Sequence, residues 1–116
     1  MRRYAFLAAI LVAIATFRIV STYDILSHTM DEPIHLGAGM EWLDHGTYLG
    51  DTSHPPMARA FSAMAAYFGG ARYVPAESAL AEGLNMLGRD AHYDRTLSLA
   101  RMGILPFFWL ASAAVF

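Results

Sequence analysis

Apolar residues run almost without interruption at both ends of this chain and fall into short periodic clusters between them. From Tyr4 to Tyr23, twenty residues carry a single charge, Arg18. A bilayer core of about 30 Å takes about 20 helical residues, so this run predicts a transmembrane helix. Arg18 lies within two turns of its outer end, where a guanidinium can snorkel to the headgroups. At the other end, Met102 to Phe116 holds fifteen residues without a charge, broken only by Pro106. That run predicts the start of a second transmembrane helix, and the sequence stops while still apolar. The expectation is the front end of a larger membrane protein. The carbonyl freed by Pro106 would be satisfied by neighbouring helices.

The clusters between the runs predict three short amphipathic helices lying along the membrane surface. Pro33 fits a first helical residue, with Asp31 or Glu32 near the cap. Leu36, Met40 and Leu43 follow at helical spacing, and Gly46 stops the helix. Pro55 and Pro56 open the next, with Met57, Phe61, Met64, Ala65 and Phe68 on one face and Gly69-Gly70 at its end. Pro75 and Gly88 bracket the third, with Leu80, Leu84 and Leu87 on one side. Asp94 is expected to cap the helix that becomes the second span. The fold class is therefore all-α integral membrane. It divides into residues 1–23 (cytoplasmic N-terminus and first span), 24–100 (an extracytoplasmic loop) and 101–116 (a truncated second span).

Charge sharpens this division. All eight basic residues are arginine, and all ten acids lie between Asp24 and Asp94. Arg2 and Arg3 precede the first span and place the N-terminus in the cytoplasm, with the acidic middle outside. The absence of a basic stripe argues against nucleic acid, and the absence of cysteine removes disulfides and thiolate metal sites. A cleaved signal peptide is the rival reading, with Ala13-Ile14-Ala15 as the processing site. The apolar run continues past that site through Phe17, Ile19 and Val20, which favours an anchor.

Candidate chemistry gathers just beyond the first span. Asp31 and Glu32 are neighbours, and adjacent helical residues diverge by about 100°, so the two suit separate roles. One could serve as a general base toward an acceptor hydroxyl; the other could bind a divalent cation. Both could instead simply cap the helix and face water. Glu32 and His35 share a helical face, as in one half of some di-metal sites. His54 precedes two prolines at a helix start, where first-turn amides favour anions. The prolines remove two of those donors, so a phosphate would rely on His54, Arg59 and later amides. The alternative is a Pro-initiated turn with a solvated arginine. The Met57–Phe68 stripe reads as a face packed on core or lipid. His28, His45 and His92 read as surface residues. No glycine-rich phosphate loop, Ser-x-x-Lys or Cys-x-x-Cys motif is present.

The order of these pieces resembles a known family. Asp31-Glu32-Pro33-Ile34-His35-Leu36-Gly37-Ala38-Gly39, then Gly46-Thr47-Tyr48, then His54-Pro55-Pro56-Met57-Ala58-Arg59 is similar to the membrane-embedded glycosyltransferases of the GT-C superfamily, of the protein O-mannosyltransferase-like and aminoarabinose-transferase-like type. Leu99-Ala100-Arg101 is similar to the start of that family's second span. Met57 stands where leucine is commoner. The resemblance implies an enzyme of the bacterial inner (plasma) membrane. It would take sugar from a polyprenyl-phosphate donor and pass it to a hydroxyl on a glycan, lipid or protein at the extracytoplasmic face. It implies Asp31, with Glu32 beside it, as catalytic base or metal organiser, and a divalent cation in some members. It places His54 and Arg59, with His35, near the lipid phosphate. The family's further spans and site residues are missing here, so the resemblance implies that this stretch alone is inactive. Two other functions fit the residues: a non-enzymatic membrane module whose loop helices pack on a partner, and a secreted binding domain released from a signal peptide.

Overall fold

The computed structural model describes residues 2–88 and 92–116, and these form five helices. They are α1 (Arg2–Val20), α2 (Asp31–His45), α3 (Pro56–Phe68), α4 (Ala79–Gly88) and α5 (Tyr93–Val115). Both α1 and α5 are long and apolar enough to cross a bilayer by length and composition. Each breaks the soluble rule that a helix hides its apolar side. Phe6, Leu11 and Phe17 of α1 and Leu110 and Val115 of α5 all stand exposed. The two helices run antiparallel. Trp109 donates its indole N–H to Thr16 at 3.0 Å, and Tyr23 meets Arg101 about one turn-pair further along.

The middle of the chain packs into a bundle with α2 at its centre. Leu36, Met40, Ala63, Ala66, Met86, Leu87, Leu97 and Ala100 form the core. The sequence pattern gave α2 a single apolar face, yet Leu36 through Glu41 are all buried. The reason is small residues on its other sides. A Cβ on Gly39 would sit 2.2 Å from the Arg59 carbonyl oxygen of α3, and one on Gly83 would sit 1.8 Å from that of Pro33. Gly103 does the same for α5 against Phe61. Such backbone-to-backbone contact through glycine and alanine is how helices associate in lipid.

This packing corrects the expected faces of the short helices. In α3 the buried side is Arg59, Ala60, Ser62, Ala63 and Ala66, while Met57 and Phe68 point outward. In α4 the buried side is Glu82, Gly83, Met86 and Leu87; Leu80 and Leu84 are exposed. The start and stop signals fared better. Gly46 ends α2 in the left-handed conformation at φ 67°, which glycine adopts without a Cβ clash. Pro56 opens α3. Pro33, however, is the third residue of α2 rather than its first. Asp94 lies inside the first turn of α5 and does not cap it. It still meets the positive end of the helix dipole there. That helix starts eight residues before Arg101, and its first two turns belong to the bundle through Thr96, Leu97 and Ala100.

Candidate functional site

A cleft of about 770 Å³ opens where the α1–α2 linker, α2, the start of α3 and the middle of α5 meet. Leu26, Leu36, Met57, Leu97, Ile104 and Phe107 supply its apolar lining, and Glu32, His35, His54, Arg59 and Arg101 its polar edge. Four of the five site residues expected from the sequence are thus gathered on one cavity. The fifth, Asp31, lies at the first residue of α2 and is exposed.

One wall of the cleft is organised by Arg59, which α3 carries on its buried side with only 3% of its surface exposed. Its Nε–H donates to His35 Nδ1 at 2.9 Å. One terminal nitrogen donates to Tyr48 Oη at 2.7 Å and the Asp51 carbonyl at 2.8 Å. The other meets the Asp51 carboxylate at 2.6 Å and His54 Nδ1 at 2.9 Å. A guanidinium has five N–H donors and no acceptor, so every donor of Arg59 has a protein partner. This alters the expected role. Arg59 has no donor left for a phosphate; it arranges the groups around it.

The arrangement fixes two tautomers. Because Arg59 can only donate, both Nδ1 atoms must accept, which puts each imidazole proton on Nε2. The two rings stand edge to face with centroids 5.5 Å apart. Burial, then the Arg59 charge and His54, hold the pKa of His35 below the usual imidazole value. His35 is therefore neutral at pH 7, with Nε2–H as a hydrogen-bond donor. The Asp51 carboxyl is held well below the usual carboxylate range by the Ser53 hydroxyl and amide and by Arg59. Ser53 Oγ, whose proton goes to Asp51, lies beside His54 Nδ1 at 2.8 Å.

The opposite wall is built by Arg101. Its guanidinium reaches Glu32 at 2.8 and 3.0 Å. It also reaches the carbonyls of Tyr23, Leu26 and Ser27 at 2.7 to 3.0 Å. Those carbonyls belong to the α1–α2 linker, which has no regular helix to pair them, so the guanidinium supplies their partners. Burial raises the Glu32 pKa, but Arg101 and the Thr29 amide outweigh it and leave it below the usual value. Glu32 is thus an anchored ion. Asp31 makes no side-chain hydrogen bond among the described residues, and its charge falls on His35 one turn along.

Neither Arg101, Tyr48 nor Asp51 was expected at this site. Asp51 precedes His54 by three residues and Tyr48 belongs to the Gly-x-Tyr turn, so both had a local signal; Arg101 had none beyond its position at a span edge. His28 also has a partner, Tyr93, which accepts its amide at 2.9 Å and meets its Nδ1 at 2.6 Å.

Among the described residues no group of three or more His, Asp or Glu side chains is placed to hold a metal ion. Glu32 is engaged by Arg101 and His35 Nδ1 by Arg59, which leaves Asp31 without a chelating neighbour. Compared with family models, with curated proteins and with solved structures, the chain matches none.

Proposed function

We propose that this chain forms the N-terminal part of a membrane glycosyltransferase that takes sugar from a polyprenyl-phosphate-linked donor. The observation that supports it most is the make-up of the cleft: an apolar trough edged by two imidazole donors and an arginine, beside one unengaged carboxylate. A polyprenyl phosphate has matching parts. Its isoprenoid chain lies along Met57, Ile104 and Phe107, and its phosphate accepts from the Nε2–H groups of His35 and His54. Neutral donors suit a phosphate leaving group because they stabilise charge as it develops. Asp31 is the general base toward the acceptor hydroxyl, since Glu32 is neutralised by Arg101. In this reading α1 and α5 cross the plasma membrane with the N-terminus inside, and the bundle lies at the extracytoplasmic face. A single base on the acceptor side fits an inverting displacement.

The test is sugar transfer from a polyprenyl-phosphate donor by the intact protein carrying Asp31→Asn. Transfer should fall by about a thousandfold or more with the thermal midpoint unchanged. Wild-type turnover in this variant would reject the reading.

The exposed Met57, Phe61 and Phe68 side chains favour a second reading, in which α3 docks on a partner subunit. It predicts tolerance at Asp31 and His54 and sensitivity along that face.

A further inference from the structure

The helix α3 differs from the other short helices in what it shows to the outside. The outer face of α2 carries Asp31 and His45, and that of α4 carries Asn85. Over its thirteen residues α3 has one charged side chain, Arg59, and that is buried. Ser62 is buried as well and donates its hydroxyl to the Ala100 carbonyl of α5 at 3.2 Å. What remains outside is Met57 at 64%, Phe61 at 39% and Phe68 at 79% exposure, with Ala58 beside them. A helix that is apolar on every side belongs in an apolar medium, and the bundle covers only one side of this one.

It lies antiparallel against α5. At its start, Met57 shares the cleft wall with Ile104 and Phe107. One turn on, the Phe61 ring stands edge to face with that of Phe107, centroids 5.2 Å apart, and Ser62 meets Ala100. Past its end, a cavity of about 430 Å³ is lined by Gly69 and Arg72 together with Arg95 and Leu99. Charge follows the same axis. Arg72 lies just beyond the end of α3, and Asp94 and Arg95 lie at the start of α5; from Met102 onward α5 has no charge. Phe107 falls between the two rungs that join α5 to α1, Arg101 with Tyr23 and Trp109 with Thr16, and so lies alongside the last turn of α1. The apolar end of α3 therefore sits level with the two candidate spans, and its charged end points away from them. A helix that starts at such a depth must dispose of its unpaired N–H groups. Pro55 at the cap and Pro56 at the first position have none.

We propose that the outer face of α3 is a lipid contact. The helix starts within the nearer leaflet, with Met57 and Phe61 among the acyl chains beside Phe107, and rises to the headgroups at Phe68. Its occupant is the bilayer rather than a protein. The face is continuous with the exposed apolar side of α5 through the Phe61–Phe107 contact, and it carries no polar rim to fix a protein partner. Trp42, across an apolar groove from Met57 and Phe61, takes the boundary position that indoles favour. The cleft, which Met57 also lines, then opens at the membrane surface. The proposal rests on α1 and α5 crossing the bilayer and is independent of the sugar-transfer reaction.

The chain has no cysteine, so single nitroxide labels can be attached to the intact protein in phosphatidylcholine nanodiscs. The sites are Met57→Cys, Phe61→Cys and Phe68→Cys, with Leu110→Cys on α5 as the span reference and Asn85→Cys on α4 as the water reference. All five side chains are exposed. Power saturation compares collision with oxygen, which concentrates in lipid, against collision with a nickel chelate, which stays in water. Met57 and Phe61 should favour oxygen as Leu110 does, Asn85 should favour nickel, and the oxygen preference should fall from Met57 to Phe68. Lipid at Leu110 with water at Met57 and Phe61 overturns the proposal alone, because the bundle then stands clear of the bilayer. Loss of access to both reagents at those two sites also overturns it and assigns the face to a second copy of the chain. A preference that rises toward Phe68 reverses the tilt and rejects it too. Water at Leu110 overturns the membrane-crossing reading, and the proposal with it.

Discussion

The two arginines that face each other across the cleft are used in opposite ways. Arg59 gives four of its five donors to side chains, those of His35, Tyr48, Asp51 and His54, and the fifth to the Asp51 carbonyl. Arg101 gives most of its donors to backbone carbonyls of the α1–α2 linker. The first arranges chemistry, and the second fastens one chain segment to another. Both are planar forks whose geometry a lysine point charge does not reproduce. The comparison teaches that an arginine in a cleft is not thereby a substrate ligand. What matters is how many of its five donors the protein has already taken.

The largest effect should come from Arg59→Ala. It removes a guanidinium that is itself 3% exposed and leaves the Asp51 carboxylate and both imidazoles without their common donor. His54 and Asp51 can regain water, but the space Arg59 filled and its hydrogen bonds are lost. The expected outcome in a chemical-denaturation titration is the largest midpoint loss of any of these variants, together with loss of the fixed His35 and His54 tautomers. Arg101→Met should come next, at about 2–3 kcal/mol, because Glu32 is left partly solvated and the linker carbonyls can regain water. Its signature differs: hydrogen exchange should accelerate at residues 23–29 while the His35 and His54 tautomers, read by nitrogen NMR, stay as in wild type. If both variants disturbed the imidazoles equally, the division of labour between the two arginines would be wrong.

The smallest effect is a pH slope. The folded pKa of His35 is lowered, so the unfolded chain binds its proton first as pH falls. The stability His35 contributes is present above about pH 6.5 and is lost as pH falls below that value toward the folded pKa. Glu32 and Asp51 have lowered folded values too, and their contribution is lost only further down, below about pH 4. His35→Gln should therefore flatten the stability profile just below about pH 6.5 and leave the more acidic limb in place.

Much of this architecture can be read from the chain, and the failures have one cause. Gly46 and Pro56 mark helix ends through backbone rules that hold anywhere. The faces of α3 and α4 were misread because the large residues, Met57, Phe61, Leu80 and Leu84, carry the periodic signal. The contacts are made by Ala60, Ala63, Gly83 and Gly39, whose value lies in having little side chain. Close approach of backbones, a mode of packing also used by helices in lipid, buries the small residues and leaves the large apolar ones outside. The site shows the same split. His35, His54, Arg59 and Glu32 stand out by type and spacing and do meet at one cleft. Their mutual bonding, which takes Arg59 and Glu32 out of direct contact chemistry, depends on Arg101 and Asp51. Arg101 lies 69 residues from Glu32, and no local pattern predicts that pairing.

The most direct test is ligand binding to the intact protein in nanodiscs, comparing a polyprenyl phosphate with the corresponding polyprenol. The cleft as described predicts that the phosphate binds at least about tenfold more tightly, a difference of about 1.4 kcal/mol. It also predicts that the preference disappears in the His35→Ala/His54→Ala double variant, with polyprenol affinity unchanged. Equal affinity for phosphate and alcohol, or a preference that survives the double variant, would contradict the account.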